Sequence, residues 1–166
     1  MKQKFQEELV DVVDMLDKVV DTVPKSEIYR NFHTHRVVHV IAFDQTGKIA
    51  LQLRSKACNF CPEHWSSSAG GRVKAGEDYE DAAVRKFQED LGLTSRLEFF
   101  SKDYYTSDDG LSKWIVAFRA KCCGPFKTNP EVQKIDFFEA EKIKGMIESG
   151  EKFNPDLKYL LEKYFL

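Results

Sequence analysis

No apolar run in this chain of 166 residues approaches the roughly 18 that a membrane-spanning helix needs, so no spanning helix is expected. The N-terminus lacks the apolar core of a signal peptide and is acidic from Glu7 onward, which points to the cytoplasm. Charge of one sign is also missing. A net charge of −2 leaves no basic footprint for extended nucleic acid, so phosphate would have to be met by local charge and metal. Cysteine is sparse, with Cys58 and Cys61 in a C-x2-C spacing and Cys122 and Cys123 adjacent. A structural zinc site takes two well-spaced pairs, and only one is present, with His64 near enough to add a ligand. Reduced thiols are the expected reading, and metal at Cys58 and Cys61 is the alternative. Neither internal repeats nor low-complexity segments break the chain, and its length suits a single domain over residues 1–166 with one core.

What is present concentrates in residues 70–93, GGRVKAGEDYEDAAVRKFQEDLGL. A glycine-rich turn precedes a helix that Asp78 or its neighbour caps and that runs to about Leu91 ahead of the helix-stop Gly92. Helical spacing puts Ala83, Val84, Phe87 and Leu91 on one apolar face, and Arg85, Lys86, Glu89 and Asp90 on the other. Arg85 can reach Glu89 and Lys86 can reach Asp90, each one turn away. As solvated salt bridges these contribute roughly 0.2–0.5 kcal/mol each. Two acids in the last turn nevertheless oppose the helix dipole, at a cost of up to about 1 kcal/mol, and a hard divalent cation would reverse that sign.

The segment resembles the signature of the Nudix hydrolases, G-x5-E-x7-R-E-U-x-E-E-x-G-U, with U an aliphatic or bulky apolar residue. Gly71, Glu77, Arg85, Phe87, Glu89, Asp90, Gly92 and Leu93 stand at its positions, while Lys86 replaces the first glutamate of the R-E pair. The resemblance implies an α/β/α sandwich around a central mixed sheet. It implies Mg²⁺, or Mn²⁺, on Gly71, Glu77, Glu89 and Asp90, with Glu89, Arg85 and Glu131 as catalytic residues. Arg54, Arg72 and Lys86 are the expected substrate contacts.

Elsewhere the chain is similar to Nudix proteins related to isopentenyl diphosphate isomerase. Helical spacing of Phe5, Leu9, Val12, Leu16 and Val19 argues for a helix, valine content for strand. The resemblance implies a β-hairpin turning near Asp14–Lys18, within an N-terminal extension over residues 1–34, and its many valines could form a homodimer contact. A short helix over Ser26–Asn31 should follow Pro24. Strands are expected at Val37–Phe43 and Lys48–Arg54 as a hairpin, then at Trp65–Ser68, Arg96–Tyr105, Leu111–Cys122 and Val132–Phe138. Glu139–Ser149 and Leu157–Phe165 should be helices, the second started by Asn154, Pro155 and Asp156. Aligned on Trp65, the isomerase's cysteine acid and metal histidine fall at Gly70 and Arg72, neither of which can do that chemistry. Only His35 matches an N-terminal isomerase histidine, and Ile28 stands near the other. His33, His35 and His39 read as surface and packing residues rather than ligands, and Trp114, Phe118, Tyr104 and Tyr105 as core strand aromatics rather than a base-stacking platform.

The expected function is Mg²⁺-dependent hydrolysis of a diphosphate bond in a nucleoside diphosphate linked to another group X, or a similar small-molecule diphosphate. A non-catalytic diphosphate-binding domain and an isomerase-like enzyme remain as alternatives.

Overall fold

The computed structural model describes residues 6–166, so Phe5 of the N-terminal periodic run lies outside the described residues. The chain opens with β1 (Leu9–Val13) and β2 (Val19–Pro24), an antiparallel hairpin with its own small core of Val10, Val12, Val23 and Ile28. Its turn falls at the expected 14–18 stretch, where the Asp14 carboxylate accepts from the amides of Leu16 and Lys18. The helical spacing loses here to β-branched composition and to the small core that alternate valines build. Pro24 ends β2 and precedes α1 (Lys25–Arg30), which supplies Ile28.

The central sheet is seven-stranded and mixed. It contains β3 (His35–Phe43), β4 (Ile49–Arg54), β5 (Trp65–Ser66), β6 (Ala69–Arg72), β7 (Glu98–Thr106), β8 (Ser112–Lys121) and β9 (Val132–Phe138). Strands β3 and β8 run parallel over their whole length, and β7 adds antiparallel to β8. The expected hairpin of β3 and β4 holds only at its base, since the two pair at Phe43 and Ile49 alone. They then diverge, and residues 65–72 wedge into the opening, β5 bonding to β4 and β6 to β3. The Ser68 hydroxyl ties the wedge to both arms, accepting from Ala42 N and donating to Ala50 O. The expected glycine turn is therefore strand: Gly70 and Gly71 pair with His39 and Val38. The reason is steric. A Cβ on Gly70 would lie 2.7 Å from the Val38 carbonyl oxygen, so a backbone this close to β3 takes only glycine.

Alternation along β3 assigns the two faces. Val38 and Val40 meet α2 (Tyr79–Leu91) through Ala82, Ala83, Phe87 and Leu91, with Val116 and Phe118 of β8 in the same core. Val37 and Ile41 face α3 (Ala140–Glu148) and α4 (Pro155–Tyr164), whose Ile143, Met146, Leu157, Leu160 and Leu161 close the opposite core. The result is the α/β/α sandwich, with helices on both faces. One expectation for α2 fails in detail: Val84 is 41% exposed, whereas Asp90 is 4% exposed. The helix rolls so that Ala82, not Val84, enters the core, which brings Asp90 under β6 and β4.

Candidate active site

Asp78 caps α2 by accepting from Asp81 N, and Gly92 ends it in a left-handed conformation at φ 69°. Between these ends Arg85 makes a fork to Glu77, donating from Nε and Nη2 at 2.9 Å each, and Nη2 also reaches the Arg72 carbonyl at 3.1 Å. Its Nη1 lies 3.4 Å from both Glu89 oxygens. The Arg85 fork holds the Glu77 carboxyl below its ordinary pKa. Arg85 thus locks the strand–helix junction and orients Glu89 from behind. Burial works to raise the Glu89 pKa, but Lys86 and Arg85 outweigh it and keep the carboxyl below its usual range.

Lys86 lies between the two remaining acids. Its Nζ is 3.2 Å from Glu89 Oε2 and 3.2 Å from Asp90 Oδ1. The lysine stem packs over Gly71, where an added Cβ would approach Lys86 Cε at 2.9 Å. The other oxygen of Asp90 accepts from Gly70 N at 3.2 Å and from Gln52 Nε2 at 3.3 Å. Gly71, Glu89 and Asp90 are therefore gathered around one point, while Glu77 turns away to Arg85. Among the described residues no three His, Cys, Asp or Glu side chains converge as a metal-holding group. The local donors are nonetheless all oxygen, as a hard dication requires, and Lys86 is the cation now between them.

These groups border a cleft of about 720 Å³ that also takes in Arg54, Arg72 and Glu131. Glu131 is exposed just before β9, and Asn129 links it to the box by donating to the Glu89 carbonyl and accepting from Glu131 N. Arg54 ends β4 and donates to the Phe60 carbonyl. Arg72 reaches back to the N-terminal extension, to Glu8 and the Tyr29 hydroxyl. Every expected site residue except Asp90 and Glu77 lines the cleft. Those two brace it from beneath.

The family model for the NUDIX domain matches residues 33–161. The chain belongs to the Nudix family. A curated relative, an uncharacterized Nudix hydrolase of Streptomyces coelicolor, is 30% identical over 155 residues, covering 90% of this chain and 84% of the relative. The crystal structure of DR0079 from Deinococcus radiodurans superposes with a TM-score of 0.84 at 22% identity, covering 96% of this chain and all of that one. The Nudix domain of Shewanella oneidensis NrtR, solved with ADP-ribose, superposes at 0.60 with 15% identity, covering 84% of this chain and 96% of that one.

The structure corrects one part of the reading of the histidines, their expected place at the surface. His35 and His39 of this Nudix chain are buried, at 0% and 4% exposure, on the α4 side of β3, and both line the cleft. His39 Nδ1 bonds the Ser67 hydroxyl at 2.8 Å, and its Nε2 lies 3.6 Å from Asp156 Oδ2. Lys113, on β8, donates to both Asp156 oxygens at 3.2 and 3.0 Å. Burial pushes the Asp156 carboxyl up, but His39 and Lys113 prevail and hold it at about 2. Sequence reasoning passed over Lys113 and took Asp156 only as a helix starter. The available signal was a lysine in strand alternation with Ile115 and Ala117, an inward position where an unpaired charge is costly.

Cys58 Sγ donates to the Glu131 carbonyl, burial raises the Cys61 pKa, and the four cysteines form no disulfide. Of the strand aromatics, Phe118 is core, while Trp114, Tyr104 and Tyr105 are only partly buried. Trp114 Nε1 instead donates to the Asp14 carbonyl of the hairpin turn.

Proposed function

We propose that the chain is a metal-dependent Nudix hydrolase that cleaves the diphosphate bond of a nucleoside diphosphate linked to another group X, or of a similar organic pyrophosphate. One observation carries the reading: a single cleft brings three cationic side chains, Arg54, Arg72 and Lys86, to the carboxylates Glu89 and Glu131. A diphosphate needs the former and an attacking water the latter. The hydrolase names of curated relatives support hydrolysis, and the ADP-ribose bound by a structural neighbour is itself a nucleoside diphosphate linked to another group.

Glu89, Asp90 and the Gly71 carbonyl would hold Mg²⁺ or Mn²⁺, with Glu131 as a further oxygen ligand; Glu77, expected as a ligand, has both oxygens engaged by Arg85 and is left out of the set. When bound, the ion offsets charge on the bridging phosphates and lowers the pKa of water. The protein's own groups supply the rest. Lys86 moves from between its acids to a phosphate oxygen as a point charge, and Arg54 and Arg72 fix the diphosphate at the cleft rim. Arg85 keeps Glu89 oriented through its fixed fork to Glu77. Glu131, exposed on the same cleft, takes the proton from attacking water, a role for which Glu89 is the other candidate.

The test is incubation of purified protein with Mg²⁺ and a panel of nucleoside diphosphate derivatives, nucleoside triphosphates and isopentenyl diphosphate, following phosphate release and substrate mass. Glu89→Gln is expected to lower turnover by about 10²-fold or more. Equal turnover by the variant would remove Glu89 from the reaction. A second reading, diphosphate binding without chemistry, is favoured by the position of Lys86 between Glu89 and Asp90. It predicts a thermal shift with diphosphate ligands and no turnover.

Two further elements belong to this reading. The exposed Val19 and Val20 on β2 support a homodimer through the hairpin, and a monomer mass in solution would overturn it. Unpaired cysteines support a cytoplasmic setting. No described helix is long and apolar enough to cross a membrane.

A further inference from the structure

The inner end of the cleft holds chemistry that diphosphate cleavage does not use. His35 and Lys113 are directly opposed on the parallel strands β3 and β8, which places them side by side on the α4 face. Neighbouring strands lie about 5 Å apart, so both groups can meet one small ligand. His35 Nδ1 bonds the His33 carbonyl at 3.2 Å. A carbonyl only accepts, so Nδ1 carries the proton and Nε2 presents a bare lone pair. That Nε2 is buried and has no partner.

Lys113 is complementary. Two of its three N–H groups go to Asp156, and the third remains for a ligand. A buried ion pair is seldom better for stability than an apolar replacement, so the pair of Lys113 and Asp156 is better explained by what it does. The surroundings suit a flat ligand. The Phe60 ring lies 5.1 Å from Lys113 Nζ, and the Tyr29 ring stands edge-on to His35 at 6.1 Å. Both rings line the cleft and both are partly exposed. His35 itself lines the same cleft.

We propose that His35 and Lys113 form the subsite that reads the base of a nucleoside diphosphate substrate: His35 Nε2 accepts from a ring or exocyclic N–H, Lys113 donates to the adjacent carbonyl or ring nitrogen, and Phe60 and Tyr29 flank the ring plane. Asp156 is a positioning residue, holding Lys113 through both oxygens, and His39 braces Asp156 from the other side. This inference rests on the diphosphate reading above and adds what the second half of the cleft recognises.

Titration calorimetry with Mg²⁺ present, comparing ADP, GDP, CDP and UDP with ribose 5-diphosphate, which has no base, separates the two readings. Wild-type protein is expected to bind at least one nucleoside diphosphate tenfold or more tighter than ribose 5-diphosphate. His35→Phe should cut that advantage to below about threefold while leaving ribose 5-diphosphate affinity unchanged. His35→Gln, whose carbonyl oxygen can accept in place of Nε2, should restore part of it. Because His35 is buried, a measurement on unaltered protein accompanies the variants: the ¹⁵N resonance of His35 Nε2 should move with the favoured nucleotide and stay in place with ribose 5-diphosphate. Equal wild-type affinity for all five ligands, a parallel loss of all five in His35→Phe, or a stationary Nε2 resonance under a tightly bound nucleotide overturns the subsite alone. Failure of the wild type to bind any of them overturns the diphosphate reading and the subsite with it.

Discussion

His35 carries no formal charge at neutral pH, and the reason lies in its neighbours. Burial, followed by the positive charge of Lys113, lowers its pKa from 6.5 to about 4, against an upward pull from the His33 carbonyl and Asp156. Between these values the unfolded chain binds a proton that the folded chain refuses, so stability rises with pH across the window. The contribution is complete above about 6.5 and is lost progressively as pH falls toward 4. At about 1.4 kcal/mol per pKa unit the full loss is roughly 3 kcal/mol. Urea midpoints measured from pH 4 to 7 should show this slope in the wild type, and His35→Phe should flatten it. Lys86 offers a second residue-scale expectation. Removing its positive charge from between Glu89 and Asp90 and adding a carboxylate, as Lys86→Glu does, should tighten Mg²⁺ binding by roughly tenfold. Titration calorimetry with Mg²⁺ alone checks it, and unchanged affinity would show that Lys86 and metal do not compete for one position.

At the scale of elements, the wedge of β5 and β6 and the cap of α2 decide where the site stands. Gly70 is required because a Cβ would meet backbone, the Val38 carbonyl, rather than a flexible side chain. Gly70→Ala should therefore destabilise by about 1–3 kcal/mol and loosen the pairing of β6 with β3, observable as faster amide exchange at residues 69–72. Asp78→Ala removes a side-chain acceptor from the first turn of α2, with an expected loss of about 1 kcal/mol by chemical denaturation. Much of this was legible beforehand. The cap, the stop at Gly92, the late helices and the strands of the central sheet other than β6 follow from periodicity and turn chemistry, whereas the β1–β2 hairpin followed from the family resemblance against the helical spacing. The glycine strand was not, because glycine pairs read as turns when nothing local reveals that another strand passes within contact distance. The burial of Asp90 was hidden for a related reason: its partners, Gln52 and Gly70 N, are distant in sequence.

For the whole molecule, the notable connection is between the N-terminal hairpin and the domain. Asp17, at the hairpin turn with φ 60°, accepts from Arg36, Lys102 and Tyr79, so one carboxylate ties the turn to β3, β7 and α2. Burial raises its pKa, but these donors outweigh that effect and keep the group ionised. Asp17→Asn retains a residue that tolerates the left-handed backbone but removes the charge, leaving Arg36 partly buried and unpaired. The expected cost is about 2–3 kcal/mol, with hydrogen exchange accelerated first in β1 and β2. Arg72, Glu8 and Tyr29 make a second tie, directly at the cleft rim. By itself the sequence determined the box, because that depends on spacing within one helix, where residue intervals translate directly into faces, and the resemblance of the box to the Nudix signature carried the family and the sandwich with it. Only the tertiary structure decided that Lys86 stands between two acids beside Gly71, and that His35, Lys113 and Asp156 meet at the inner cleft. Those groups come from strands and a helix up to 121 residues apart (156 − 35), and no local periodicity records which of them share a wall.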